Sequence, residues 1–154
     1  MNRFRYFSLL AFVILAAVTA AAARAQQMTP KLQNAIGLWQ VIGSDGKPGG
    51  QVETYLENGL LFGRVTQLRP GRKPGDVCLK CSGEYKDKPI MGLVILRNFH
   101  PVGDDWAGGT AVDPENGKEY KGKIWTEGAE DLHLRGFVGI LLFGRSETWK
   151  RVHN

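Results

Sequence analysis

The sequence predicts an all-β domain: a small antiparallel barrel of eight strands, preceded by one short helix. Short apolar or alternating runs recur at close spacing after residue 36, punctuated by glycine, proline and Asn-Gly pairs. All 20 glycines fall within residues 26–154, about twice the usual proportion. No run between them is long enough for crossover helices. Eight antiparallel strands in such a chain match a closed or nearly closed barrel, which has no exposed edges and can enclose one small ligand. A two-sheet sandwich is the rival, and periodicity does not separate the two.

Residues 1–25 read as a signal peptide. Arg3 and Arg5 form a basic start, Phe7 to Ala23 carries no charge, and Ala23-Arg24-Ala25 is a small-x-small cleavage site. The alternative is an uncleaved anchor helix, but the second half of the apolar run is mostly alanine, which drives insertion weakly. The residue directly after Ala25 is glutamine rather than cysteine, which argues against a lipid-modified N-terminus. The expected address is the periplasm of a Gram-negative cell, or the medium, with residues 26–154 as one barrel domain and no stable membrane anchor after processing. Cleavage also alters the charge. The whole chain has 20 Lys and Arg against 15 Asp and Glu, a net +5. The leader removes three arginines and no acid, leaving +2. No basic run interleaved with aromatics remains, so nucleic acid is not an expected partner. The charge and apolar content also exclude a disordered tail, a collagen-like chain and a polytopic membrane protein.

Pro30 to Ile36 is the helical stretch, with Thr29 placed to cap it and Pro30 at its first position. Leu38 to Ile42 is the first strand, and Gly43 to Gly50 a long turn. Val52, Thr54 and Leu56 alternate with Glu53, Tyr55 and Glu57; Asn58-Gly59 then turns the chain into Leu60 to Gln67. Gly92 to Phe99 is a nearly continuous apolar strand. Trp106 to Val112 and Glu119 to Thr126 flank a second Asn-Gly hairpin, Asp113 to Lys118. Leu132 to Val138 and Glu147 to Val152 complete the set.

Cys78 and Cys81 frame a C-x-x-C whose readings are a local disulfide, a redox pair or half a metal site. Zinc needs two further ligands, and there is no other cysteine and no paired histidine spacing. The flanks Pro74-Gly75-Asp76 and Ser82-Gly83 place the pair in a loop rather than at a helix N-terminus, where a redox thiol is activated. In an exported chain the disulfide is favoured. It contributes about 2 kcal/mol at most, because the loop it closes is short. The acids Asp104, Asp105, Asp113, Glu130 and Asp131 lie in turns or on opposite strand faces, and no Ser-His-Asp order or nucleophile elbow accompanies them. The sequence calls for no cofactor, no metal and no catalytic residue.

The tract Asp131 to Phe137 alternates Leu132, Leu134 and Gly136 with His133, Arg135 and Phe137. Arg64 beside Phe62, and Arg97 between Ile95 and Phe99, repeat the pattern of arginine among apolar neighbours. An arginine facing inward needs a carboxylate or an anionic ligand. On that reading Arg135 anchors a small amphiphile, with His133, Phe137, Arg64 and Trp125 lining its pocket. On the other reading these residues face water.

The four tryptophans are core candidates. Trp39 on the first strand, under an arginine of the last, would plug one end of a barrel by cation–π stacking. Arg151 and Arg145 are the two candidates. Gly37-Leu38-Trp39 with such an arginine resembles the signature of lipocalins. More broadly, Ile36 to Val152 resembles the bacterial domain of unknown function 2147, a family of small exported proteins. The resemblance rests on Gly37-Leu38-Trp39, Gly63-Arg64-Val65, Lys88 to Leu93, Asp113 to Tyr120, Leu134 to Gly139 and Gly144 to Arg151. It implies an exported calycin-like β-barrel and no settled activity or catalytic residue.

Three functions follow as expectations. The first is binding of a small hydrophobic or amphiphilic molecule. The second is an envelope interaction module with a barrel filled by side chains. The third is a hydrolase or isomerase for a hydrophobic substrate, for which His133 is the first titratable candidate.

Overall fold

A computed structural model describes residues 28–43, 45–140 and 144–153; the proposed leader lies outside them. Helix α1 (Pro30–Asn34) precedes β1 (Gly37–Ile42), β2 (Pro48–Glu57), β3 (Leu60–Gln67), β4 (Val94–Val102), β5 (Asp105–Asp113), β6 (Lys118–Glu127), β7 (Asp131–Phe137) and β8 (Gly144–Arg151). Among the described residues each strand pairs antiparallel with the next, and β8 returns to β1, closing an up-and-down barrel. The closing ladder is short, from Trp39 opposite Arg151 to Val41 opposite Trp149. The sandwich is thereby excluded.

Several boundaries differ from the pattern in the sequence: the helix ends at Asn34, β2 begins at Pro48 inside the stretch read as a turn, and β4 runs on to Val102. Gly92 and Leu93 do not open β4. Their N–H groups bond to Val65 and Ile90 carbonyls, closing the connection that precedes the strand. β8 begins at Gly144 because β7 pairs with it as far as Phe137 opposite Gly144. The glycines also do more than turn corners. Gly63, Gly109 and Gly122 lie inside strands and are buried. A Cβ at Gly109 or Gly122 would collide with the Phe99 ring, and one at Gly63 would stand 2.7 Å from Leu96 Cδ1. The missing side chains of Gly109 and Gly122 make room for the ring, and that of Gly63 for Leu96.

One end of the barrel is filled. Trp39, Trp106, Phe99, Leu61, Ile124 and Leu132 are almost wholly buried there, each contributing about 1.5–3 kcal/mol through burial. Helix α1 caps this end. Five residues do not hold a helix alone, and its terminal carbonyls need partners. Side chains from five strands supply them. Thr126 donates to the Lys31 carbonyl, Trp106 to Leu32, Arg151 to Asn34 and Ile36, and Trp39 and Thr54 to Ala35. Thr29 Oγ1 accepts from the Leu32 N–H, which is the expected N-cap. Thr54, though 1% exposed, also accepts from Trp39 Nε1 at 3.0 Å and from the Gly37 N–H at 3.1 Å.

Candidate functional site

The other end is hollow. A cavity of about 760 Å³ opens between the start of β2, the end of β3, the β5–β6 turn and the upper part of β8. Val52, Val65, Ile95, Leu96, Ala111 and Leu134 form an apolar wall, and Trp149 lies at its base. Inward alternation on β8 then places Glu147 and Arg145 above Trp149. Trp149 Nε1 donates to Glu147 Oε2 at 3.3 Å, and Arg145 Nη2 stands 3.7 Å from the other carboxylate oxygen.

The connection from residue 68 to 93 contributes Leu68, Arg69, Pro70, Arg72 and Ile90 to the rim. Cys78 and Cys81 form a disulfide within it. Three further contacts seat that loop on the β5–β6 turn. Lys80 Nζ donates to the Glu115 carbonyl at 2.9 Å, Cys78 Sγ lies 3.6 Å from the Pro114 carbonyl, and Gly117 leaves room for the Lys80 backbone. Arg72 holds the Glu115 carboxylate with Nε at 3.3 Å and Nη2 at 3.0 Å, and Arg69 reaches the same carboxylate at 2.8 Å. Further along, Arg97 lies over the Tyr85 ring, 4.6 Å from its centroid, and pairs with Glu84 at 2.7 Å. The hydrogen bond from Arg97, then its charge, pulls the Glu84 carboxyl below the ordinary glutamate range. The same bond raises Arg97 further, and burial pushes the Tyr85 phenol up.

The residues offered as pocket lining from sequence stand elsewhere. Arg135, His133, Phe137, Arg64 and Trp125 are absent from the cavity wall; the buried row of β7 is Leu132 and Leu134. Arg135 bonds to Ser146 across the outer surface, 3.1 Å away. His133 stacks on Trp125 with centroids 5.1 Å apart, its Nδ1 3.0 Å from the Thr148 hydroxyl. Arg64 pairs with Glu53 at 2.7 Å and lies 5.4 Å from the Tyr55 ring centroid. The reason is burial. Leucine gains more from the interior than arginine or histidine, whose polar heads would need partners there. Arg145 is not a plug either, because it stands at the open end, whereas Arg151 covers Trp39 at the closed end.

The acids singled out earlier are engaged in turns and ion pairs. Asp113 accepts from the Glu115 N–H and from Asn116, Asp105 meets Lys123 at 2.9 Å, and Glu130 meets His153 at 2.8 Å. Among the described residues no group of three His, Cys, Asp or Glu is placed to hold a metal ion.

Sequence reasoning missed Arg69, Arg72, Glu115 and Glu147. The inward parity of β8, once Trp149 is assigned to the interior, would have found Glu147. The connection has no periodicity from which the others could be read.

Comparison with solved structures finds protein HP1028 from the human pathogen Helicobacter pylori, described as belonging to the lipocalin family. It is 20% identical, with a TM-score of 0.68 over 83% of this chain and 86% of that chain. At that identity the likeness concerns the fold, and it agrees with the closed eight-stranded barrel. Comparison with curated proteins gives no match. The family model described as "Uncharacterized protein conserved in bacteria (DUF2147)" matches residues 37–151, from the first strand to the last, and the chain belongs to that family.

Proposed function

We propose that this protein is an exported binding protein that holds one small hydrophobic or amphiphilic molecule in the hollow end of its barrel. The cavity carries the reading. Its volume of about 760 Å³ falls within the range of ligand pockets, about 300–1,000 Å³. Its wall is apolar and its polar groups gather at the rim, the arrangement that orients an amphiphile. Export is supported by the leader-like residues 1–25 and by the disulfide, which suits an oxidising compartment.

The test is uptake of a neutral fluorescent probe, N-phenyl-1-naphthylamine, by the processed protein, together with native mass spectrometry for co-purifying ligand. Saturable uptake that quenches Trp149 is expected, and Ala111→Phe or Val65→Phe, which fill the cavity, abolish it while the protein stays folded. Absence of uptake by the folded wild type overturns the proposal. For export, the mature protein is expected in the periplasmic fraction or the medium, starting at Gln26. Recovery from the cytoplasm with residues 1–25 intact refutes that part.

A further inference from the structure

We infer that the rim of the cavity recognises an anionic head group, so that the ligand is a single-chain amphiphile carrying a carboxylate or a phosphate. The inference rests on the cavity reading above and adds the chemistry of the head. Arg69 and Arg72 converge on one carboxylate. Arg72 grips both oxygens of Glu115, and Arg69 approaches an oxygen that Arg72 already holds, at 2.8 Å. Two guanidiniums therefore converge on one carboxylate at the mouth of an apolar pocket, and both line it.

Of the other charges on the wall, two pairs face each other and Asp113 keeps its charge, held by neutral donors. Arg145 stands against Glu147, Lys47 is 3.4 Å from Asp45, and Asp113 is engaged by its own turn. Asp76 is a looser neighbour of Arg72, at the same 3.7 Å that separates Arg145 from Glu147, and it also accepts from the Lys73 N–H at 3.1 Å. A guanidinium offers five donors in a planar fork that suits a carboxylate or phosphate. Glu115 cannot saturate two of them.

The charge of the whole chain points to the same place. Residues 68–93 hold six Lys and Arg against three Asp and Glu, whereas the rest of residues 28–153 hold 11 against 12. The excess positive charge of the domain thus lies on this connection, of which Arg69 and Arg72 line the opening, where they would draw an anionic head outward. Arg69 is half exposed, so its contribution is moderate and screened by salt.

Calorimetric titration with dodecanoate, dodecyl phosphate, dodecanol and dodecyltrimethylammonium tests this. Both anions are expected to bind about tenfold more tightly than dodecanol, with the cation weakest. Salt weakens only the anions. The tighter of the two anions identifies the head as carboxylate or phosphate. Arg69→Gln, which leaves the Arg72–Glu115 contact in place, erases the anion advantage and leaves dodecanol unchanged. Equal affinity for all four heads, or an anion advantage that survives Arg69→Gln, overturns the inference while leaving the cavity reading intact. Failure of all four to bind overturns the cavity reading, and this inference with it.

Discussion

The guanidinium of Arg151 lies over the indole of Trp39, 4.2 Å from the ring centroid, and bonds to the carbonyls of Asn34, Ile36 and Ala129. One side chain from the last strand thus fastens the helix, the entry to β1 and the β6–β7 turn. Gly37 permits this, since its φ is +145° and any side chain there would meet Arg151. Arg151→Ala is expected to cost about 2–4 kcal/mol in urea unfolding, from the lost ring contact and carbonyls left without donors. Arg151→Lys recovers less than half, because an ammonium does not span three carbonyls. Unchanged unfolding in Arg151→Ala would show that the cap is held by other contacts.

Phe99 and the strand glycines form a matched set. Gly122→Ala is expected to destabilise by about 1–3 kcal/mol through overpacking against the ring. Combined with Phe99→Leu, the cost should fall below the sum of the two single changes. Strict additivity in that double-mutant cycle would mean that ring and glycine do not compete for space.

Acid titration should expose the clasp between β4 and the connection. Glu84 has a lower pKa folded than unfolded. Its contribution is therefore complete above the unfolded value, about 4.3, and is lost as pH falls through the depressed folded value. Glu84→Gln is expected to flatten the stability curve in that acid window and to leave its neutral-to-alkaline shape unchanged. An acid limb identical to that of the wild type would contradict the assignment.

Arg135→Ala and His133→Ala stand outside the cavity and should leave alkyl-chain affinity within about twofold, a few tenths of a kcal/mol. A tenfold loss in either would move the binding site to the outer face of β6 to β8.

The eight strands and the Thr29 cap could be read from the chain because their signals are local. Asn58-Gly59 needs positive φ, found at both residues, and Pro30 suits a first helical turn. The alternation in Leu132 to Phe137 likewise revealed two faces. Which arginines face the interior was not legible. The pairing of Glu53 with Arg64 and of Ser146 with Arg135 arises only when neighbouring strands are in register. Arg69 and Arg72 lie 46 and 43 residues before Glu115. Nothing short of the folded connection brings them together.

The filled and hollow ends share eight strands but draw on different side chains. Trp39, Phe99 and Trp106 hold the barrel shut, while Val65, Ala111 and Arg69 shape what it can contain. If the barrel binds as proposed, substitutions in the second group would alter the cargo with little effect on the first. On the proposed binding role, the same scaffold could drift in specificity without passing through unfolded intermediates, and an engineer could re-line its mouth as one exchanges a lens within a fixed mount.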